Sequence, residues 1–307
     1  MKRIAVTGAN GFVGRHLVRH AVSLGYEVVG VVRSERAAQV VRASGGHACE
    51  LLGRDPEALV RALDGCLALV HLAQIGAERS GSTYEAVNVG FTERVLEDAR
   101  HAGVPRAVYF SGLGVAHYGM SPRCSNPYFL SKLAAETLVF RSGIEGTVFR
   151  PSYVVGAGDG LVPLVLRAMA GGELERPGDG SYRVQPVAVE DAAAAVMAAV
   201  SRPAGSFPTV FDLVGPEPLP YAALLERVAA VARSLGRHAA LRVREVPVAE
   251  AEAKARAGGW QGMLSDELDC LLCDEVSDPG PLVALLGRPL VPLDEALASA
   301  VRGEPAD

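Results

Sequence analysis

A glycine-rich turn after the first predicted strand constrains the fold of this chain more than any other feature. Residues 3–7 form an apolar run, and residues 8–14 follow it as Gly-Ala-Asn-Gly-Phe-Val-Gly before a segment of helical periodicity. Gly8 permits a tight turn, Gly11 allows the backbone to approach a pyrophosphate, and Gly14 allows close packing of helix on sheet. Because the first N–H groups of a helix have no intrahelical acceptor, the turn predicts an anion cradle.

This cradle is the predicted binding site for the pyrophosphate of a dinucleotide. Its spacing, Gly-x-x-Gly-x-x-Gly, differs from the Gly-x-Gly-x-x-Gly of most dehydrogenases, and a glycine triplet alone identifies little. Here the triplet follows the first strand of a chain that alternates strands with helices, which is the setting that such a site requires. The residues expected to contact the dinucleotide at the turn are Gly8, Asn10, Gly11, Phe12, Val13 and Gly14.

Apolar runs rich in Val and Ala alternate with segments of helical periodicity through the first half of the chain. Strands are expected at residues 3–7, 27–32, 67–72, 106–111 and 146–150, with a weaker run at 47–51. Helices are expected at residues 11–24, 35–43, 56–63, 83–102 and 127–141. This alternation predicts an α/β fold, a Rossmann-like doubly wound parallel sheet covered by helices on both faces.

The pattern becomes less regular after Arg150, where clusters of Pro and Gly interrupt shorter strands and helices. We therefore expect residues 1–150 to form an NAD(P)-binding Rossmann domain. Residues 151–307 are expected to form a smaller C-terminal α/β substrate-binding lobe, partly interleaved with the first domain.

Bulk composition excludes several classes of partner. The 307 residues carry a formal net charge of -5, which gives no general field to attract nucleic acid or an anionic membrane. No apolar run reaches the roughly 20 residues needed to cross a bilayer. The five cysteines are scattered and fit a reducing compartment, and the single Cys-x-x-Cys, Cys270 and Cys273, lacks the second ligand pair of a zinc site. We expect a cytoplasmic protein that acts on a small-molecule substrate, without nucleic acid, membrane or metal.

The end of the second predicted strand indicates which dinucleotide binds. An NAD-selective site usually carries Asp or Glu there to bind the ribose 2′-hydroxyl, whereas this chain has Arg33 followed by Ser34. An arginine suits a 2′-phosphate, so NADP(H) is the preferred cofactor and NAD(H) the alternative. Arg36 is a further candidate for the same phosphate, although these residues also fit a basic helix start in solvent.

A tyrosine, a lysine and a serine form the candidate reactive group. Tyr128 and Lys132 lie four residues apart on a predicted helix, so they share one face. A cation near a phenol favours the phenolate, and we expect Lys132 to lower the pKa of Tyr128 and make it an acid/base. Ser111 ends a predicted strand at the carboxyl edge of the sheet, where open α/β folds bind ligands. A Tyr and a Lys at this spacing are also common on packed helix surfaces.

Together these motifs resemble the short-chain dehydrogenase/reductase superfamily, in its extended and atypical branches of NAD(P)-dependent epimerases, dehydratases and reductases. The resemblance spans nearly the whole chain and implies a catalytic set of Ser111, Tyr128 and Lys132, in which Lys132 also binds the nicotinamide ribose. It further implies that Leu72, Ala73, Asn88 and Pro151 lie along the cofactor, with Asn88 also supporting the active site. The nearest likeness is to the branch of the NADPH-binding accessory subunit of respiratory complex I, which includes members with weak or lost catalysis.

Two departures from the family pattern bear on activity. Ser111 is followed by Gly112-Leu113-Gly114 rather than by a second serine, so Ser111 alone must complete the triad. The acidic residue that commonly follows the third strand and contacts adenine is replaced by Leu51-Leu52-Gly53.

Two functions follow from this reading. In the first, the chain is an oxidoreductase or epimerase that exchanges a hydride between the nicotinamide and a carbonyl or carbinol carbon, and a reductase of a small or hydrophobic carbonyl compound is favoured. In the second, it is an NADP(H)-binding sensor or scaffold protein without turnover. The resemblance also implies a homodimer through the helices at residues 83–102 and 127–141.

Overall fold

The computed structural model describes residues 2–51, 57–203 and 209–303. Within these ranges the strands are β1 (Arg3–Thr7), β2 (Glu27–Val32), β3 (His47–Glu50), β4 (Ala68–His71), β5 (Arg106–Phe110), β6 (Glu145–Pro151), β7 (Val154–Val155), β8 (Leu174–Pro177), β9 (Arg183–Val184), β10 (Val187–Ala188), β11 (Thr209–Leu213), β12 (Leu219–Pro220) and β13 (Val243–Val246).

The helices in the same ranges are α1 (Phe12–Ser23), α2 (Glu35–Ala43), α3 (Ala58–Leu63), α4 (Phe91–His101), α5 (Pro127–Arg141), α6 (Leu161–Met169), α7 (Val189–Val200), α8 (Tyr221–Ser234), α9 (Val248–Arg256), α10 (Ser265–Leu271), α11 (Gly280–Leu286) and α12 (Leu293–Gly303). A π-helical turn, Glu85–Gly90, precedes α4, and two 3₁₀ turns, Leu113–His117 and Arg123–Ser125, lie between β5 and α5. None of the helices in the described ranges is long and apolar enough to cross a lipid bilayer.

Seven parallel strands form the central sheet in the order β3-β2-β1-β4-β5-β6-β11. The chain builds outward from β1 to β3, returns to the other side of β1 at β4, and continues outward from there. The strand order therefore reverses between β1 and β4, and ligands of such sheets bind at the carboxyl ends of the strands at this reversal. The sheet confirms the predicted α/β, Rossmann-like fold.

Burial of both faces of the sheet explains the continuous apolar runs in the sequence. Along β1, Ile4 and Val6 pack with the residues of α1 and α7, whereas Ala5 packs with those of α3, α4 and α5. Alternate side chains of a strand point to opposite faces, so a strand covered on both sides has no polar face.

The second half of the chain contributes to the core around the central sheet and also forms a core of its own. β11 pairs with β6 in the central sheet and α7 packs on α1. The helices α6, α8, α9, α10 and α12 enclose a separate core that contains the fully buried side chains of Trp260 and Leu174. The described strands of this half outside the central sheet form three small two-stranded sheets, β7 with β10, β8 with β13 and β9 with β12.

Candidate active site

Two glycines shape the turn between β1 and α1. Gly8 has a φ of 68°, and a Cβ there would lie 2.8 Å from the backbone nitrogen of Ala73, just after β4. A Cβ at Gly14 would overlap the carbonyl oxygen of Gly8 and lie 2.8 Å from the carbonyl carbon of Ala9. Gly11 is the N-cap residue of α1 and supplies no side-chain acceptor, so the first N–H groups of the helix remain open to an anion.

A cavity of about 430 Å³, the cofactor cavity, opens beside this turn. Its walls come from the β1–α1 turn, the ends of β2, β3 and β4, and the start of α4. The lining residues are Gly8, Asn10, Gly11, Val31, Val32, Arg33, Leu51, Leu72, Ala73, Gln74, Ala86, Val87 and Phe91. The structure thus brings together six of the residues predicted to bind a dinucleotide, namely Gly8, Asn10, Gly11, Arg33, Leu72 and Ala73.

Five other predicted cofactor residues lie beside this cavity rather than in its wall. Phe12, Val13 and Gly14 form the first turn of α1. Ser34 is the N-cap of α2, where its hydroxyl oxygen accepts a hydrogen bond of 3.3 Å from the N–H of the third helical residue. Arg36 is exposed in the first turn of α2. Their contacts with a cofactor stay predictions.

Arg33 is the basic residue in the wall of the cofactor cavity. It lies directly after β2, is exposed, and forms no ion pair with any residue in the described part of the chain. Leu51, directly after β3, contributes an apolar surface to the same wall. Leu52 and Gly53, the two residues that follow it in the predicted adenine-contacting stretch, lie outside the described residues.

A second cavity of about 300 Å³, the substrate cavity, lies where the C-terminal lobe meets the ends of β5 and β6. Its lining residues are Gln74, Gly76, Ser111, Gly112, Tyr128, Phe129, Pro151, Ser152, Tyr153, Glu267, Cys270, Leu271 and Glu275. Ser111, Tyr128 and Pro151 were predicted from the sequence. Gln74 lines both cavities, so it marks the junction between them.

Ser111 is held at the end of β5 with its hydroxyl free. Its backbone N–H donates to the carbonyl oxygen of Phe149 at 2.7 Å, which extends the pairing of β5 with β6. The side chain is 1% exposed, and its oxygen has no hydrogen-bond partner in the described ranges. Buried polar atoms are almost always paired, so this hydroxyl is available to a ligand in the substrate cavity.

Tyr128 is placed by the start of α5. The side-chain oxygen of Asn126 caps the helix by accepting a 2.9 Å hydrogen bond from the N–H of Phe129, and Pro127 occupies the first helical position. The Tyr128 hydroxyl oxygen lies 3.8 Å from the position that a Cβ would take at Gly112, directly after Ser111. The capping of α5 therefore brings the Tyr128 phenol to the same wall of the substrate cavity as the Ser111 hydroxyl.

The pKa of Tyr128 is raised above its ordinary value. Burial is the main cause, and the neighbouring Cys270, Glu275 and Glu267 add to it. The expectation that Lys132 lowers this pKa is wrong for the arrangement that the structure shows, because burial outweighs any cation and the ammonium group is directed to other acceptors. The phenol is therefore protonated at neutral pH.

Lys132 is fully buried on the next turn of α5. Its Nζ donates hydrogen bonds to Oε1 of Gln74 and, at 2.5 Å, to the carbonyl oxygen of Phe110. It also lies 4.5 Å from the centre of the Tyr109 ring. Burial lowers the pKa of Lys132 to about 7, while Glu136, one turn further along, raises it. The lysine is thus near its point of titration at neutral pH.

Asn88 supports α5 from the π-helical turn before α4. Its amide oxygen accepts from the N–H of Ile75 at 2.9 Å, and its amide nitrogen donates to the Ile75 carbonyl and to the Ser131 hydroxyl, each at 3.0 Å. Ser131 in turn donates to the carbonyl oxygen of Tyr128 at 2.7 Å. Asn88 does not line the cofactor cavity, and the structure places it as a support for the Tyr128 backbone.

Two carboxyl groups contribute to the wall of the substrate cavity. Glu267 and Glu275 line it, and the wall includes no Lys or Arg among the residues that the structure describes. Arg150, at the end of β6, forms a two-point ion pair with Glu136 at 2.9 and 2.7 Å. Arg183 pairs with Asp274 in the same way at 3.1 and 3.0 Å. These arginines are held by acidic partners rather than presented to a ligand.

Sequence reasoning missed most of the substrate cavity. Gln74 directly follows Ala73, so extending the predicted segment after β4 by one residue would have found it. Tyr153 lies two residues after the predicted Pro151, in the same stretch of sequence. Cys270, Leu271 and Glu275 belong to no local motif, because only the folding of the C-terminal lobe onto the sheet brings them to Tyr128.

Comparison with known proteins gives one family and several relatives. The model of the NAD dependent epimerase/dehydratase family matches residues 4–212, more than half of the chain. The 2-alkyl-3-oxoalkanoate reductase of Stenotrophomonas maltophilia (strain K279a) is 30% identical over 249 residues, which cover 74% of this chain and 75% of that protein. The mitochondrial NADH dehydrogenase (ubiquinone) 1 alpha subcomplex subunit 9 of Arabidopsis thaliana is 28% identical over 258 residues, which cover 82% of this chain but only 62% of that protein.

Solved structures share the fold over nearly the full length. The UDP-glucose 4-epimerase of Thermus thermophilus, in complex with NAD, matches with a TM-score of 0.75 and 23% sequence identity, and the match covers 98% of each chain. At this level of identity the likeness shows a common fold and nothing more specific.

Proposed function

The chain belongs to the NAD dependent epimerase/dehydratase family, a family of NAD-dependent enzymes, and within it we propose an NADPH-dependent reductase of a hydrophobic carbonyl compound. The observation that carries this proposal is the shared substrate cavity of Ser111 and Tyr128. One offers a buried hydroxyl with no partner in the described ranges, and the other a protonated phenol. A carbonyl oxygen needs such donors when it becomes an alkoxide.

The cofactor cavity fits an NADP(H) molecule. The open N–H groups at the start of α1 suit a pyrophosphate, and the turn is too crowded at Gly8 and Gly14 for any side chain. Arg33 stands at the end of β2, where the adenosine ribose of a dinucleotide lies in this fold, and its unpaired guanidinium suits a 2′-phosphate. We therefore assign NADP(H) as the preferred cofactor, with NAD(H) as the alternative.

The chain's own residues supply the proton and the orientation. When bound, NADPH supplies a hydride to the carbonyl carbon. The Ser111 hydroxyl donates a hydrogen bond to the carbonyl oxygen, and Tyr128 transfers its phenolic proton to that oxygen to complete the alcohol. Lys132 would hold the nicotinamide ribose from its position on α5. The raised pKa of Tyr128 suits this direction, because a reduction consumes the protonated phenol.

The charges of the substrate cavity favour an uncharged, partly apolar substrate. The wall of the cavity offers no basic side chain in the described ranges to a nucleoside diphosphate, and the arginines nearby are paired with acidic residues. Phe129, Tyr153 and Leu271 provide apolar surface. The likeness to a 2-alkyl-3-oxoalkanoate reductase supports a ketone that carries alkyl chains as the reacting group. Epimerisation, in which the hydride leaves and returns, would use the same groups.

An NADP(H)-binding sensor or scaffold without turnover is the second candidate function. The glycines that follow Ser111 favour it, as does the likeness to a subunit of an NADH dehydrogenase. Against it stands the intact pair of Tyr128 and Lys132, because a protein that only binds has no need of a phenol beside a free hydroxyl.

Incubation of the purified protein with NADPH and a panel of substrates tests the proposal, and UDP-glucose is incubated with NAD+ or NADP+ as well and assayed for its epimer, because epimerisation needs the oxidised cofactor and leaves it unchanged. The panel contains alkyl ketones, 3-oxo esters and UDP-glucose, and the measurement is the loss of NADPH absorbance together with isolation of the alcohol. Oxidation of NADPH with the ketones or oxo esters is expected. Cofactor binding without turnover on any carbonyl compound would establish the second candidate, and conversion of UDP-glucose alone would establish an epimerase.

A homodimer remains part of the proposal. On α5, Leu130 is 51% and Phe140 39% exposed, which leaves apolar surface on one of the two helices expected at the interface. Light scattering of the purified protein should give twice the mass of the chain, and the mass of a single chain would contradict this expectation.

A further inference from the structure

Glu275 is a buried carboxyl group that the proposed reaction leaves without a role. It is 7% exposed and lines the substrate cavity with Ser111 and Tyr128. Its backbone N–H donates to the carbonyl oxygen of Arg183 at 2.8 Å, and its carbonyl oxygen accepts from the Ser152 hydroxyl at 3.0 Å. The backbone is therefore fixed on both sides, and the side chain is held in the wall of the cavity.

The groups around this carboxyl provide no positive charge. The titratable groups influenced by Glu275 are Tyr128 from α5, Tyr153 after β6, Cys270 from α10 and Cys273 after α10. Glu267 from α10 lines the same cavity, and the Ser152 hydroxyl lies beside Glu275. Arg183, whose backbone contacts Glu275, directs its guanidinium to Asp274.

A carboxyl group in this setting is neutral. Ionisation of a buried carboxyl without a cation is unfavourable, and such groups hold their proton instead. In agreement, burial raises the pKa of Glu275 to about 8, although the neighbouring Ser152 hydroxyl acts to lower it. A protonated carboxyl has an O–H to donate, unlike a carboxylate. Besides the hydroxyl groups of Ser111 and Tyr128, the cavity wall therefore contains the O–H groups of Glu275 and Tyr153, whereas one carbonyl oxygen accommodates only two donors.

We propose that Glu275 is a specificity-determining residue that, as a neutral carboxylic acid, donates a hydrogen bond to a second oxygen of the substrate. The substrate class is then an uncharged carbonyl compound with a further carbonyl oxygen, such as a 3-oxo ester. This inference rests on the proposed reductase function. It goes beyond that function by assigning Glu275 as a further hydrogen-bond donor and by requiring a second oxygen on the substrate.

Matched substrates and variants test the assignment. A 3-oxo ester and a plain ketone of the same chain length are compared by kcat/KM in the wild type, Glu275→Gln, Glu275→Leu and the control Glu226→Gln, which changes an exposed residue of α8. The wild type and the control should prefer the oxo ester about tenfold at neutral pH, as expected for one hydrogen bond in a buried site. Glu275→Leu should reduce this preference to about one.

The pH dependence of the preference for the oxo ester distinguishes a neutral donor at position 275 from a residue with only a structural role. The wild-type preference should decline above about pH 8 as Glu275 ionises. Glu275→Gln, whose amide also donates but does not ionise, should keep the preference at every pH. If Glu275→Leu does not fold, this comparison with Glu275→Gln decides the question.

Two results would overturn the inference while leaving the reductase in place. One is equal kcat/KM for the two substrates in the wild type, and the other is an undiminished preference in Glu275→Leu. If none of the carbonyl compounds tested leads the protein to oxidise NADPH, the reductase proposal fails. Calorimetric titration with the 3-hydroxy ester then tests Glu275 by itself, since about tenfold weaker binding to Glu275→Leu is expected and equal binding would refute its role.

Discussion

Lys132 donates a hydrogen bond from its fully buried ammonium group to the side-chain oxygen of Gln74, the residue that lines both cavities. The contact joins α5 to the segment after β4 at the junction of the cofactor and substrate cavities. A second acceptor, the carbonyl oxygen of Phe110, completes the environment of the amine. These acceptors make the buried position of the lysine tolerable, although burial still lowers its pKa to about 7.

Replacement of this lysine should remove a pH dependence of folding stability. Between about pH 7 and 10.5 the unfolded chain holds a proton on Lys132 that the folded chain has released. The free energy of unfolding of the wild type should therefore rise across this range relative to that of Lys132→Met. Urea denaturation at several pH values measures the difference, and parallel curves for the two proteins would show that the lysine titrates normally in the fold.

Ser111→Ala should reduce turnover without reducing the free energy of unfolding. The hydroxyl it removes is buried and has no partner in the described ranges, so the free energy of unfolding should stay the same or rise by about 1 kcal/mol. Turnover should decrease about a hundredfold, as for loss of a donor to a developing oxyanion. Ser234→Ala, which changes an exposed serine of α8, serves as the control and should leave turnover unchanged. Unchanged turnover in Ser111→Ala would exclude the hydroxyl from the reaction.

Tyr128→Phe should abolish reduction without weakening NADPH binding. The change removes the proton donor but keeps the ring that contacts Tyr84 and Phe129, at centroid distances of 5.9 and 5.2 Å. The matched control is Tyr118→Phe, at a half-buried tyrosine that lines neither cavity. Stopped-flow kinetics and fluorescence titration measure the two quantities, and turnover that survives in Tyr128→Phe would remove the phenol from the mechanism.

Arg33→Ala should narrow the preference for NADPH over NADH. A charge-assisted hydrogen bond to a 2′-phosphate contributes about 1.5–3 kcal/mol, and for an exposed arginine we expect the lower end, about a tenfold change in the ratio of the two Kd values. The control is Arg256→Ala, which changes an exposed arginine of α9 that lines neither cavity. Fluorescence titration gives the Kd of NADPH and the Kd of NADH for the wild type and for each variant. Equal wild-type affinities for NADPH and NADH would refute the assignment of NADP(H).

Gly14→Ala should weaken both the fold and the cofactor site. Its Cβ would overlap the carbonyl oxygen of Gly8, so the start of α1 must move away from the turn at a cost of several kcal/mol. Gly160→Ala is the control, because no atom lies within 4 Å of a Cβ there. Thermal denaturation with and without NADPH should show a lower Tm and a smaller NADPH-induced increase in Gly14→Ala only, and wild-type values in that variant would contradict the close packing.

The amino-acid sequence by itself determined the features that depend on neighbouring residues. The β1–α1 turn follows from glycines at positions 8, 11 and 14, and the apolar runs of β1, β2 and β4 follow from burial of both faces of the sheet. The alternation of strands and helices correctly predicted the parallel α/β sheet. The resemblance to the short-chain dehydrogenase/reductase superfamily, including the branch of the complex I subunit, is confirmed by the family match and the relatives.

The tertiary structure decided the chemistry of the substrate cavity. The spacing of Tyr128 and Lys132 predicted a lowered phenol pKa, yet burial and the acidic residues of the C-terminal lobe raise it. The lobe also brings Glu275 to Tyr128, and the fold directs Lys132 to Gln74. Local backbone geometry is encoded in a few consecutive residues, whereas desolvation and electrostatic contact depend on every segment that packs around a group. Spacing therefore selected the candidate side chains, and only packing fixed their protonation and their partners.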